Sequence, residues 1–185
     1  MSIAAVILAA GFSRRLGRPK QTVMLNGETL VERSVRIGQH AGLSPIIVVI
    51  NAEATFGEIL RQLGCTVVVN EVAAEGMASS IRVGIRTAER QLSTGAILMT
   101  CDQIGLSPEH LRSLMDSPLC ITGSSYAGRI GIPAYFPASS FNGLLALHGD
   151  VGARDLLRNA HAITAEDLSL DIDTEADVAS AQKRV

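Results

Sequence analysis

Four short apolar runs constrain this chain most: Ile3–Leu8, Ile46–Ile50, Thr66–Val69 and Ala96–Thr100. They are too uniformly apolar to be half-exposed strands, and read instead as strands buried on both faces, the habit of parallel sheets. Helical patterns fall between them. Thr29 with Glu32 three residues on is a capping box, opening a helix through Leu30, Val31, Val35 and Ile37 that should end near Gly42. Ile59, Leu60 and Leu63 share a face of a second helix, closed at Gly64. Ile81, Ile85, Ala88 and Leu92 mark a third, with Ser79 and Ser80 near its start as caps or as groups meeting a polar ligand. Strand and helix in strict alternation predict a parallel sheet with right-handed crossovers, hence an α/β fold.

Further along, Ser107 and Pro108 open another helix, and Leu119–Thr122 reads as a strand. A glycine-rich turn leads into a short strand at Gly128–Phe136, which Pro133 demotes to an edge or irregular position. His148–Leu157 is a loop entering a helix, and Thr174 caps the last helix, with Glu175 and Asp177 in its first turn. No repeat, linker or low-complexity stretch interrupts the 185 residues, so a single domain over 1–185 is expected.

The first strand runs into Ala9, Ala10 and Gly11, then Arg14, Arg15, Arg18 and Lys20. Small residues let backbone amides approach a ligand closely. The cations stand at the carboxyl end of a buried strand, where open α/β sheets bind ligands. A loop that wraps a polyphosphate fits this composition. Neither standard nucleotide fingerprint is present, since the lysine does not follow Gly17 directly and no Gly-x-Gly-x-x-Gly occurs. The fourth strand delivers Asp102 to the same sheet edge. A carboxylate there is a helix cap, a solvated loop residue or a metal ligand. Opposite a phosphate loop the last reading gains weight, because Mg²⁺ is commonly held by one or two carboxylates plus substrate phosphates.

Composition excludes several classes. With 16 Lys and Arg against 18 Asp and Glu, net charge −2, there is no broad nucleic-acid footprint. Aromatics are 3% and tryptophan is absent, so no stacking platform for single strands exists. No apolar run reaches ~20 residues and no charged leader region precedes Ile3, so no membrane association is expected. Cys65, Cys101 and Cys120 form no CxxC pair and are expected as reduced, buried thiols, which suits the cytoplasm. Cys101, beside Asp102, reads as core rather than nucleophile. His40, His110, His148 and His161 read as surface or supporting groups.

In order, Leu8-Ala9-Ala10-Gly11, Ser13, Arg15, Gly17, Pro19-Lys20, then Gly76–Ser80, Asp102-Gln103, Gly131 with Pro133, Gly149–Arg154 and Asp171–Thr174 resemble the molybdenum cofactor cytidylyltransferase family, within the MobA-like NTP transferase superfamily. The resemblance spans nearly the whole chain. Its first motif is shared with many sugar nucleotidyltransferases, and the ordered set is more specific. The resemblance implies a Rossmann-like three-layer sandwich of the nucleotide-diphospho-sugar transferase type, with a mostly parallel central sheet. It implies transfer of CMP from CTP to the terminal phosphate of a molybdopterin-type cofactor, with Mg²⁺ (or Mn²⁺) and a molybdenum hydroxylase as client.

Carried over, Arg15, Lys20 and Asp102 are catalytic. Leu8, Ala9, Ala10, Gly11, Asn70 and Ser79 join them in binding the nucleotide. Asp102 and Asp173, or else Asp171, hold the metal. Gly131, Pro133, Gly149, Asp150 and Arg154 meet the acceptor, and Arg14 and Arg18 are expected to be solvated. Ile104 stands where the family usually has proline, and Thr22 where it has leucine. The rival readings are a guanylyltransferase of the same cofactor, a sugar-phosphate nucleotidyltransferase, and a cofactor carrier without turnover.

Overall fold

In the computed structural model, residues 2–13, 15–172 and 174–182 are described. The chain runs β1 (Ile3–Leu8), a hairpin of β2 (Met24–Leu25) and β3 (Glu28–Thr29), α1 (Leu30–His40), β4 (Ile46–Asn51), α2 (Gly57–Gln62), β5 (Thr66–Asn70), α3 (Met77–Arg90) and β6 (Gly95–Thr100). It continues with α4 (Pro108–Leu114), β7 (Thr122–Tyr126), β8 (Arg129–Pro137), α5 (Phe141–Leu145), α6 (Arg154–Leu157), β9 (His161–Thr164) and α7 (Glu175–Gln182).

Seven strands form one sheet in the order β5-β4-β1-β6-β8-β7-β9. β8 is antiparallel to both neighbours, β6 and β7, whereas the other pairings are parallel. The sheet is therefore mostly parallel, with β1 central. Alternation along β1 feeds two cores. Ala5 and Ile7 pack with Leu30, Val31 and Val35 of α1 and Leu111 of α4 on one face. Ala4 and Val6 pack with Ile81 and Ile85 of α3 and Phe141 of α5 on the other. Each large aliphatic side chain buried this way contributes roughly 1.5–3 kcal/mol.

Local signals explain several boundaries. The Thr29 hydroxyl accepts from the Glu32 amide at 3.3 Å, while Glu32 accepts from the Thr29 amide at 2.8 Å, completing the expected box. The Ser107 hydroxyl accepts from the His110 amide at 3.2 Å, with Pro108 at the first helical position. Gly84 lets α3 lie directly on the sheet: a Cβ there would stand 2.3 Å from Val6 Cγ1.

Other expectations are corrected. On α2 only Leu60 of the predicted face is buried; Ile59 and Leu63 are 45% and 41% exposed, because this short helix flanks edge strand β5 and has little to cover. α3 ends at Arg90, so Leu92 lies beyond it and is exposed. Leu119–Ile121 is not strand: the Cys120 amide closes a turn on Ser117 O, and Leu119 and Cys120 are exposed. Cys65 and Cys101 are buried, as expected. The strand holding Pro133 is neither short nor at an edge. β8 lies between β6 and β7, and the register slips at Gly123/Ser124, leaving Ile132 and Pro133 outside the ladder. The missing proline N–H thus falls at the irregularity. β9, with three of its four residues exposed, carries no apolar signature that would announce it. Among the described residues no helix is long and apolar enough to cross a membrane.

Candidate active site

Two cavities adjoin at the carboxyl ends of β1 and β6. The first, about 450 Å³, is walled by the glycine loop (Leu8, Ala10, Gly11–Ser13), by Lys20 and Gln21, and by the 73–77 segment with Ser80. The second, about 270 Å³, is walled by Gln103, Tyr126, Arg129, Gly131, Arg154 and Asp171, among others. Met77, Thr100, Asp102 and Asp150 belong to both walls.

At this shared wall Lys20 Nζ donates to Asp102 Oδ2 at 2.7 Å, with both side chains mostly buried. Each partner is placed by its backbone. Pro19 leads into a 3₁₀ turn at Lys20–Thr22, and the Lys20 amide donates to Ser13 Oγ at 3.0 Å, folding the loop back on itself. Asp102 leaves β6, and its carbonyl accepts from the Ile172 amide at 3.1 Å, while Gln103 bridges Asp171. These bonds bring the 170–172 segment alongside Asp102. A Cβ built on Gly11 would meet nothing within 4 Å, so its smallness serves something other than protein packing.

The expected residues divide. Leu8, Ala10, Gly11, Lys20 and Asp102 line the first cavity, and Gly131, Asp150, Arg154 and Asp102 the second. Ala9 is fully buried and lines neither cavity; its carbonyl accepts from Gln21 Nε2 at 2.9 Å. Arg15 lies exposed in the turn closed on Ser13 O, apart from both walls. Asn70 and Ser79 are both 1% exposed and bind each other: Asn70 Nδ2 donates to Ser79 Oγ at 2.8 Å and to Ser80 Oγ at 3.0 Å. Ser79 Oγ donates to Gly76 O, so the pair braces the 72–76 loop from behind, and Ser80 reaches the cavity.

Neither serine caps α3, whose cap position is Gly76. Pro133 and Gly149 stand behind the second cavity. Pro133 O accepts from Ser124 Oγ at 2.6 Å, and Gly149 packs on Gly76, where a Cβ would come 2.7 Å from Gly149 O. That contact closes the loop of one cavity onto the loop of the other. Arg18 is not merely solvated; it makes a double bond pattern with Glu175 at 2.7 and 3.0 Å, on the surface. Arg14 and Asp173 lie outside the described residues.

Other wall groups carried little or no signal in the sequence. Gln103 Nε2 donates to Tyr126 Oη and Ile132 O, both at 3.1 Å, and Tyr126 Oη donates to Ile132 O at 2.8 Å. Arg129 lies over the Tyr126 ring, 5.5 Å from its centroid. Arg82 pairs with both carboxylate oxygens of Glu75 and donates to Leu147 O at 2.7 Å, joining the two rim loops. Gln103 belongs to the Asp102-Gln103 pair; its bonds to Tyr126 and Ile132 and that of Arg82 to Leu147 span 23 to 65 residues, which no local pattern announces.

Burial and the neighbouring Asp102 carboxylate push the Cys101 thiol up to about 12, so it is protonated at neutral pH and unsuited to attack. His110 is half-buried, bonded to Ser124 Oγ at 2.7 Å, and burial lowers its pKa. For a cation, Asp102, Asp150 and Asp171 are the carboxylate donors described at the second cavity. Among the described residues no cluster of three His, Cys, Asp or Glu forms a complete cage. The donor set suits Mg²⁺ or Mn²⁺ sharing its shell with phosphate oxygens.

Comparison with known proteins bears on the family and the fold. The purine catabolism protein PucB of Bacillus subtilis is 32% identical over 166 residues, 83% of this chain and 80% of that protein. A probable molybdenum cofactor guanylyltransferase of Opitutus terrae is 31% identical over 98 residues, 53% of this chain and 48% of that protein. The crystal structure of Rv0371c from Mycobacterium tuberculosis in complex with manganese superposes with a TM-score of 0.78 at 27% identity, covering both chains fully. Residues 5–165 match the MobA-like NTP transferase domain, and the chain belongs to that nucleotidyltransferase family.

Proposed function

We propose that the chain transfers CMP from CTP to the terminal phosphate of a molybdopterin-type cofactor, releasing pyrophosphate, with Mg²⁺ or Mn²⁺ bound at Asp102 and Asp173, or Asp171. One observation carries the reading: Asp102 stands in the wall common to two adjoining cavities, and Lys20, in the wall of the larger one, pairs with it. Transfer needs two anions side by side, one phosphate oxygen attacking in line while charge grows on the departing pyrophosphate. Positioning and charge do most of that work.

The nucleotide takes the larger cavity, its base against Leu8–Ala10 and its phosphates along the glycine loop. Lys20, with Arg15 drawn in from its exposed turn, neutralises the leaving charge. The acceptor takes the smaller cavity, its phosphate held by Arg154 near Asp102. The attacking phosphate is already ionised near pH 7, so no general base is required, which suits walls without a histidine. A bound divalent ion would polarise the α-phosphorus as a Lewis acid. The manganese complex of Rv0371c supports a metal on this fold. A hydroxylase-type client follows from the resemblance alone, and a cytoplasmic setting from the thiol pattern.

The Opitutus relative, named for guanylyl transfer, favours GTP as a second reading. Pyrophosphate release measured with each nucleotide, with and without molybdopterin, separates the two. Turnover dependent on CTP and molybdopterin is expected. Preference for GTP supports the second reading, and turnover with a simple sugar 1-phosphate overturns both. Binding of the cofactor without turnover would mark a carrier.

A further inference from the structure

Three successive carbonyl oxygens of the glycine loop accept from side-chain amides. Gln21 Nε2 donates to Ala9 O and Gly11 O, each at 2.9 Å, and Asn51 Nδ2 donates to Ala10 O at 3.1 Å. Gln21 is 3% exposed. Two carbonyl acceptors on one side-chain nitrogen fix the orientation of the amide, because its oxygen could serve neither. Oε1 is left buried, with no protein partner among the described residues. The opposite face of the loop is the reverse case. Among the described residues, no protein acceptor engages the amides of Ala10, Gly11, Phe12 or Ser13, and Gly11 faces open space.

The division matters for an anionic ligand. A row of amides attracts phosphate, whereas a carbonyl turned the same way repels it. Glycine leaves a peptide plane free to rotate, so a small-residue loop does not choose its own polarity. We infer that Gln21, assisted by Asn51, is a positioning residue that holds the carbonyls of residues 9–11 to the back of the loop and so presents its amides to a polyphosphate. The inference rests on the nucleotidyl-transfer reading above. Lys20 and Gln21 then serve the two sides of one loop from adjacent positions. Lys20 reaches forward to Asp102 and the phosphates, and Gln21 reaches back to the carbonyls. Donors fixed before the ligand arrives need no reorganisation when it binds, which is where such sites gain their strength.

Calorimetric titration with inorganic tripolyphosphate and with CTP tests this, using wild type, Gln21→Met and Gln21→Glu, alongside melting temperature and the KM for molybdopterin. Methionine keeps the length and bulk and removes the donor; glutamate keeps the shape and sets an acceptor against two carbonyls. Gln21→Met should weaken tripolyphosphate and CTP binding about tenfold, Gln21→Glu more, with the KM for molybdopterin unchanged. If glutamine only filled space, methionine would serve as well, so unchanged tripolyphosphate affinity in a folded Gln21→Met overturns the inference. Equal losses at both cavities, tracking the melting temperature, overturn it too. Should Gln21→Met not fold, Asn51→Ala, at a half-exposed strand end, carries the same test through Ala10 O. Wild-type protein that bound neither tripolyphosphate nor nucleotide would overturn the nucleotidyl reading and this inference together, whereas wild-type binding with an indifferent variant sinks the inference alone.

Discussion

The two cavities are built by different means. The larger one takes one wall from a stretch close in sequence, residues 8–13 with Lys20 and Gln21, which folds back through the Lys20 amide to Ser13 Oγ and through Gln21 to Ala9 O and Gly11 O; the 73–80 segment, residues 100–102 and Asp150 complete it. It sits at the end of the parallel half of the sheet, where β1 is flanked by β4 and β6. The smaller cavity is assembled from separate segments around Met77, Asp102, Tyr126, Gly131, Arg154 and Asp171, with no one stretch folding back on itself to form a wall. What joins them is side-chain hydrogen bonding across long sequence separations, with Gln103 at the centre. A local loop needs few distant partners to hold its shape; an assembled wall fails when one tie is cut. The comparison predicts that damage to the walls should be separable, and that damage to the shared residues should not.

The largest effect is expected where the cavities meet. Asp102→Ala and Lys20→Ala should each fold and each lower turnover by ~10²–10³-fold or more, measured as pyrophosphate release at saturating CTP and acceptor. Near-normal turnover in Asp102→Ala would remove the metal assignment. Next comes Gln103→Met, which leaves Tyr126 Oη without its donor and Ile132 O with Tyr126 Oη in place of two donors. An acceptor KM raised about tenfold, with CTP affinity unchanged, is expected. This result crosses with that of Gln21→Met. If both variants shifted the same substrate, the two walls would not be independent.

A smaller and deliberately unselective effect is expected from Arg82→Met. Arg82 joins Glu75, on the rim of the first cavity, to Leu147, next to the Gly149–Asp150 loop of the second. The Met77 amide donates to Asp150 Oδ1 at 3.2 Å across the same seam. Loss of the arginine should raise both KM values together by about threefold, within the range of partly exposed ion pairs. A change confined to one substrate would show that the rims move separately.

The same contrast explains what the sequence disclosed. β1, β4, β5 and β6 are legible because parallel strands buried on both faces leave unbroken apolar runs, and α1 and α4 carry their own caps at Thr29 and Ser107. The glycine loop is legible because its chemistry lies within a few residues. The second half is harder. β8 runs against its neighbours, and Pro133 argues for an edge until the slip at Gly123/Ser124 shows where its missing N–H is tolerated. Asn70 and Ser79 look like ligand groups by position, yet their polar atoms meet each other in the interior. Whether a polar side chain faces a ligand or another side chain is decided by tertiary contacts that spacing cannot express.

The last prediction concerns pH, and should touch only the assembled wall. His110, on α4, meets Ser124 of β7, and Ser124 Oγ donates to Pro133 O behind the smaller cavity. The serine has a single hydrogen, so His110 Nε2 must be the donor in its bond to Ser124 Oγ. Burial lowers the His110 pKa from its ordinary 6.5. The folded state therefore gives up the second ring proton, that on Nδ1, more readily than the unfolded state, and Nε2 keeps its own. Wherever the unfolded chain binds more protons, stability rises with pH. The stabilising contribution of neutral His110 is complete above the unfolded value near 6.5 and is lost as pH falls through it towards the folded one. His110→Gln retains an N–H donor and does not titrate. Between pH 6.5 and 5, melting temperature should fall less steeply in this variant, by about 2 °C, with CTP affinity following the wild type throughout. An unchanged slope would show that protonation of this residue is not linked to folding, and would leave the acceptor wall no more sensitive to acid than the glycine loop.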